Sequence, residues 1–378
     1  MSRLPTPLRE GANFPVDIND PELDTPAVLV DLDIVDSNIR HMADFAARNG
    51  FALRPHIKTH KSVAMAKRQI AAGAVGICAA TVSEAEEMAR GGVQDILIAY
   101  PLVGARKFAR LAPLFDQATI TLAADSTAVV ELYAEFAAHI GRTVPVVLEI
   151  DTGMHRVGAA PEMALHLAKA ISSAKPLEFR GIMTHAGQTH DVTAPTDIAA
   201  IARREAAIMG AVREDLERAG FTVPLVSAGS SITAAYFRAG DGVTEIRPGT
   251  YIYNDLRSIA MFACTPDALA ATALATVVSV VDERLTIDAG SKTLTVTKDP
   301  AFGHGLLMED EAARFTRLSE EHGVLHAPGA AAKFSVGQRV RVMPVHVCVW
   351  MDLQPEIYGI RAGKIAERIT VDAMRHSL

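Results

Sequence analysis

Three cysteines, Cys78, Cys264 and Cys348, are too few for a disulfide framework, and no Cys-x-x-Cys pair marks a redox or structural zinc motif. Such scarcity suits a reducing compartment. Long apolar runs are also missing. The longest, Ala71–Ala80 and Ala273–Val278, fall short of the roughly 20 residues that span a bilayer. The opening Met-Ser-Arg-Leu-Pro-Thr-Pro has no apolar core of the kind a signal peptide carries. Nor is there an excess of basic residues: 37 Lys+Arg against 44 Asp+Glu leave a net charge of −7, which argues against a nucleic-acid or anionic-membrane partner. No low-complexity segment interrupts the chain. A hydrophobic fraction of 49% with 21% charged residues excludes disorder. The expectation is a soluble, cytoplasmic, globular protein.

What is present is a repeating pattern. Short β-branched runs alternate with Ala-rich amphipathic stretches from residue 28 to about 250. The runs are Val28–Asp31, Ala52–His56, Val75–Ala80, Ile96–Tyr100, Ile120–Ala124, Val144–Ile150, Phe179–Thr184 and Leu225–Ser227. Between them lie helix-like segments such as Asp36–Asn49, Ser83–Gly91 and Asp197–Ala219, with Gly92, Gly141 and Gly220 as stops. Ser83 followed by Glu86 reads as a capping box. Eight strand–helix alternations predict a parallel sheet; eight is the number that closes a (β/α)8 barrel, and a doubly wound open sheet can also use eight strands, so the count alone does not decide. The chain exceeds the roughly 250 residues of one barrel, so more is expected beyond it. After about residue 258 the runs become short, β-branched and broken by Gly or Asp, and Ala362-Gly363 reads as a hairpin turn. The predicted fold class is α/β: a TIM-type barrel over residues 24–258 and a β-rich domain over 259–378, with residues 1–23 packed on the latter.

Sites in parallel barrels gather where strands end. The second run ends in Arg54-Pro55-His56-Ile57-Lys58-Thr59-His60-Lys61, where a partly buried lysine becomes an amine nucleophile. The sixth ends in Asp151-Thr152-Gly153-Met154-His155-Arg156-Val157-Gly158, and an arginine there can hold an oxyanion or phenolate. The seventh carries two acid/base candidates, His185 and His190. The eighth ends in Gly229-Ser230-Ser231, a small-residue turn suited to a phosphate. Arg247-Pro248-Gly249-Thr250 offers a second glycine turn beside an arginine. Farther on, His346-Val347-Cys348 would place imidazole and thiolate on one side of a strand, a soft pair that favours Zn²⁺.

Taken together, in this order and from about Asp24 to the C-terminal domain, these segments resemble the fold-type III pyridoxal 5′-phosphate (PLP) enzymes, the alanine-racemase-like barrels. The branch they resemble is that of the D-serine dehydratases, D-threo-3-hydroxyaspartate dehydratases and D-threonine aldolases. The resemblance implies that Lys58, rather than Lys61, carries PLP. It implies that Arg156 approaches the cofactor's 3′-oxygen and that Gly229, Ser230, Ser231, Gly249 and Thr250 hold the phosphate. Arg247 would face the pyridine nitrogen, where D-threonine aldolases tend to have glutamine. His185, which stands where the aldolases carry a tyrosine, is read as a cofactor contact, and His190 as an acid/base group near the aldolases' base histidine. His346-x-Cys348 resembles the zinc pair of D-serine dehydratases, whereas the aldolases tend to have His-x-Asp, suited to Mn²⁺ or Mg²⁺.

The implied activity is removal of water and ammonia from a D-β-hydroxy amino acid (D-serine, D-threonine or D-threo-3-hydroxyaspartate), with Lys58 taking the Cα proton and a metal on His346 and Cys348 assisting loss of the hydroxyl. The alternatives are an aldolase releasing glycine and an aldehyde, a racemase using Tyr251 or Tyr253 as second base, and a non-catalytic PLP-binding protein. The last is a single barrel in that family, and the extra β domain counts against it. The resemblance also implies a homodimer.

Overall fold

The computed structural model describes residues 16–192 and 194–376, apart from the side chains of 190 and 191. They form two compact units that are each discontinuous in sequence. Among the described residues, one comprises 41–58, 65–192, 194–249 and 376; the other comprises 16–40, 59–64 and 250–375.

Ala27–Asp31 is β1, and it belongs to the second unit. The first unit is built on eight parallel strands: Ala52–Leu53 (β2), Ile77–Ala79 (β3), Asp95–Ile98 (β4), Thr119–Ala124 (β5), Val144–Glu149 (β6), Leu177–Met183 (β7), Leu225–Ala228 (β8) and Glu245–Ile246 (β9). Their order is β2-β9-β8-β7-β6-β5-β4-β3. A parallel bridge between His56 and Cys78 joins the two ends, so the sheet closes on itself. Cys78, Leu97, Ala123, Val147 and Met183, one from each of β3 to β7, form a cluster that contains no helix residue. They therefore point into the barrel. Glu149, two residues beyond Val147, shares that inward face at the C-terminal end of β6.

The expected count of eight holds, but one member differs. Val28–Asp31 is no barrel strand: β1 pairs antiparallel with Ala271–Val281 (β10). The eighth place is taken by β9, only two residues long. All five residues of β1 are buried, and such a run fits any doubly covered strand, in a barrel or in the middle of a mixed sheet. The expected capping box also moves. Thr81, not Ser83, caps helix Val82–Arg90, accepting from the Glu84 N–H at 3.0 Å, while Glu84 Oε2 accepts from the Ala80 N–H at 2.5 Å. Ser83 Oγ instead accepts from Arg110.

The remaining strands, Arg284–Ile287 (β11), Gly305–Leu307 (β12), Arg314–Leu318 (β13), Gly323–His326 (β14), Arg339–Pro344 (β15), Glu356–Arg361 (β16) and Lys364–Thr370 (β17), complete a nine-stranded mixed sheet with β1 and β10. β1 lies between β10 and β16, parallel to the latter. The β16–β17 hairpin turns at Ala362 (φ 48°) and Gly363 (φ 79°), two positive φ values in succession, as a type I′ turn requires. Trp350 anchors the core of this sheet. It is buried with Ile287, Leu294 and Val340, and its indole N–H donates to the Leu294 carbonyl at 2.6 Å.

Candidate active site

β2 is extended by two backbone bonds, from the Arg54 N–H to Ile246 O and from the His56 N–H to Pro248 O, each 3.0 Å. The chain then makes a single helical turn, Ile57–Thr59, with Lys58 at its centre. Among the described residues the Lys58 amine has no hydrogen-bond or ion-pair partner. Lys61 differs: its ammonium lies 2.6 Å from Asp352 in a largely buried ion pair. Of the two lysines in the motif, only Lys58 has an amine left for chemistry.

The loop after β6 is shaped by one carboxylate. Asp151 Oδ1 accepts the N–H groups of Gly153, Met154 and His155 at 2.8, 3.0 and 3.1 Å. Burial pushes the Asp151 pKa up, but these bonds outweigh it and hold the carboxyl below its ordinary value. Gly158 (φ 110°) closes the loop, and a Cβ there would lie 2.7 Å from the Asp151 nitrogen. Arg156 sits exposed between these anchors, with no hydrogen bond among the described residues. The neighbouring loop after β7 is tied to it by the Thr152 and Thr184 hydroxyls, 2.9 Å apart. His185 follows Thr184 and is half-buried. His190 lies in the short helix Gly187–Asp191, and its side chain lies outside the described residues.

After β8, Gly229 takes φ 83°, and a Cβ would meet the Phe237 ring at 2.8 Å, so glycine is required there. This turn does not lead directly into a regular helix. The Gly229 N–H donates to Glu205 at 3.0 Å, and the next helical element is the three-residue turn Ala234–Tyr236, too short for a helix dipole. Ser231 Oγ accepts the Gly249 N–H at 3.0 Å, which joins the two glycine turns. Ser230 Oγ accepts from the Ile232 and Thr233 N–H groups at 3.2 Å each.

Arg247 is 6% exposed. One of its terminal nitrogens, Nη1, donates to Ser227 Oγ and the other, Nη2, to the Thr184 carbonyl, both at 2.5 Å. Two buried carboxyls lie within its field. Burial pushes Glu149 and Glu205 each up to about 7, with Arg247 pulling in the opposite direction. Glu149 Oε2 and Glu205 Oε2 are buried without a hydrogen-bond partner. Neither glutamate stands out in the sequence. The one signal for Glu149 is a charged residue two places past Val147 on the inward face of an apolar strand. Cys78 is inert, its thiol pushed up to about 12 by burial.

In the second unit, His346 and Cys348 come together, although not by strand spacing. His346 is extended (φ −140°) and precedes helix Val347–Met351, and Cys348 lies in that helix's first turn. Their side chains are hydrogen-bonded; burial pulls the His346 pKa down, but this bond carries it above its ordinary value. Cys348 Sγ is 3.1 Å from Thr59 Oγ1 and 3.7 Å from Thr250 Oγ1, two hydroxyls that sequence reasoning did not connect with it. The helix start is fixed by Asp255, which accepts the Val347 N–H at 3.1 Å. Among the described residues no three His, Cys, Asp or Glu side chains assemble as a metal cage.

Residues 30–256 match the family model "Alanine racemase, N-terminal domain", and residues 270–360 match "Putative serine dehydratase domain". The chain is 34% identical to the D-threo-3-hydroxyaspartate dehydratase of Delftia sp. (strain HT23), over 86% of this chain and 91% of that protein. The chain belongs to the alanine-racemase-like family of D-serine dehydratases, D-threo-3-hydroxyaspartate dehydratases and D-threonine aldolases. Within this family it is also 30% identical to the D-threonine aldolase of Arthrobacter sp., covering 91% of both. A solved D-threo-3-hydroxyaspartate dehydratase, a cysteine-to-alanine variant in the metal-free form, superposes with TM-score 0.87 at 31% identity, over 92% of this chain and 97% of that one. A family member needs a place for PLP, and the barrel residues fit it. They provide an uncommitted lysine amine, a buried guanidinium and a glycine turn that no Cβ could enter. The donor set for a metal is one imidazole and one thiol, which suits a borderline-soft cation with coordination positions left open.

Proposed function

We propose that this protein is a PLP- and divalent-metal-dependent lyase that removes water and ammonia from a D-β-hydroxy amino acid, giving a 2-oxo acid. The observation that carries the reading is the soft His346–Cys348 pair, in a chain whose Lys58 amine has no partner among the described residues. PLP supplies the electron sink for the pair left at Cα. A cation on His346 and Cys348, zinc on grounds of ligand softness, supplies Lewis-acid polarisation of a hydroxyl. Lys58 acts as the base that takes the Cα proton. Arg156 and Arg247 are the permanent cations for the cofactor's oxygen and ring nitrogen, and a guanidinium cannot protonate that nitrogen. Gly229, Ser230, Ser231, Gly249 and Thr250 are assigned to the phosphate, and His185 to a cofactor contact. His190 is assigned an acid/base role. Water lost across Cα–Cβ leaves an enamine, which hydrolyses to the 2-oxo acid and ammonia.

The metal-free cysteine variant of a related dehydratase supports placing a metal at Cys348. The barrel is assigned the cofactor and residues 259–378 the metal. The three free cysteines support a cytoplasmic location, and the family supports a homodimer. No helix of the described residues is long and apolar enough to cross a membrane.

The test is to incubate the protein with PLP and Zn²⁺ or Mn²⁺ and offer D-serine, D-threonine and D-threo-3-hydroxyaspartate. A 2-oxo acid with ammonia is expected. Glycine plus an aldehyde would replace this reading with an aldolase, and no product from any of the three would overturn it.

A further inference from the structure

The proposed reaction uses neither Arg54 nor Glu245, yet both are charges buried inside the barrel. They belong to one continuous chain of contacts. Arg54 Nη1 donates to Asp95 Oδ1 at 2.6 Å, and Arg54 Nε donates to Glu245 Oε2 at 2.8 Å. The other oxygen of Glu245 accepts from the Ser227 hydroxyl at 2.5 Å. Ser227 Oγ in turn accepts from Arg247 Nη1 at 2.5 Å. Glu245 is 2% exposed and Ser227 0%. The barrel makes room for the chain at Gly76, where a Cβ would lie 2.6 Å from Arg54 Nη1.

Burying such charges costs several kcal/mol per ion, and apolar residues of similar volume commonly serve stability as well or better. What the chain does provide is direction. An arginine side chain has many rotamers, and Arg247 follows a strand of only two residues. Anchoring Nη1 on Ser227 and Nη2 on the Thr184 carbonyl fixes the plane of the guanidinium. The Glu245 carboxylate orients the Ser227 hydroxyl so that its lone pair faces Arg247, and Arg54 holds that carboxylate in place. We propose that Glu245, Ser227 and Arg54 are positioning residues that hold Arg247 in one orientation for the cofactor ring. This rests on the PLP reading. It also gives the first arginine of the lysine motif a role away from the cofactor.

The test uses full-length protein loaded with PLP, and the readout is the pH titration of its visible absorption band. A wild type without a band overturns the cofactor reading and this inference with it. With a wild-type band in hand, Ser227→Ala and Glu245→Gln are expected to keep the band but move its titration midpoint by about half a unit or more. Both should lower kcat about tenfold with KM changed less than about twofold. Ser227→Thr, which keeps the hydroxyl, is expected to restore the wild-type titration. A merely structural role would move the melting temperature and leave the spectrum alone. Wild-type titration and kcat in Ser227→Ala overturn the proposal, and that variant decides alone if Glu245→Gln does not fold, because it leaves the Asp95–Arg54–Glu245 contacts intact.

Discussion

Replacing Glu149 by Gln should stabilise the cofactor-free protein above neutral pH and leave it little changed in mild acid. Glu149 ends β6 on the inward face of the barrel, is 2% exposed, and has one carboxyl oxygen without a partner. Burial pushes its pKa from 4.5 up to about 7; Arg247 and Arg156 pull it down, and Asp125 and Asp151 raise it further. Between those two values the folded protein holds a proton that the unfolded chain has released. Stability is therefore full below the unfolded value and is lost as pH rises through about 7. The shift from 4.5 to about 7 corresponds to about 3 kcal/mol. Glutamine keeps the shape and cannot ionise, so that loss should disappear; an imperfectly paired amide would offset the gain by about 1 kcal/mol. The assay is urea unfolding of wild type and variant, followed by far-UV circular dichroism from pH 5 to pH 8.5. The difference between the two proteins cancels every other titrating group. A difference that stays constant across this range would refute the reasoning, because Glu149 would then ionise alike in the folded and unfolded chain.

Lys58→Ala should abolish both the visible band and turnover. Lys61→Ala should keep the band and lose about 1 kcal/mol from the partly buried pair with Asp352, read by the same unfolding assay. Cys348→Ala should lose bound metal, measured by elemental analysis, and dehydratase activity while keeping the visible band; full activity in that metal-free variant would sink the metal's role. Trp350→Phe should cost about 2 kcal/mol in unfolding free energy, because the Leu294 carbonyl loses its buried donor and the sheet core loses ring volume.

The alternation of β-branched runs with amphipathic stretches was enough to predict an eight-stranded parallel sheet followed by a β-rich region, and the family resemblance supplied its closure into a barrel. It could not assign each run to its sheet. Val28–Asp31 is apolar on both faces, and only long-range pairing with β10 and β16 places it. β9 escapes notice because two residues carry no period. The histidine–cysteine pair was legible as chemistry, but its geometry comes from a helix start, which brings Cys348 under His346 and beside Thr59 and Thr250. Glu149, Glu205 and Glu245 were illegible as a group. They lie in three separate segments, and only the folded barrel brings all three near one arginine.

That grouping bears on how a chain of net charge −7 can offer a site to a phosphate-bearing cofactor. If all three glutamates were ionised, Arg247 would be more than neutralised and the barrel mouth would repel an anion. Burial prevents this. Glu149 and Glu205 are each pushed up to about 7, so near neutral pH each gives up much of its charge, while Glu245 is hydrogen-bonded to Arg54 and Ser227. Arg54 is in turn matched by Asp95. The paired charges lie along the chain of contacts, while the side chains of Lys58 and Arg156 have no ion-pair partner among the described residues. A globally acidic protein can thus be locally basic where it counts, without any cluster of basic residues that composition could reveal.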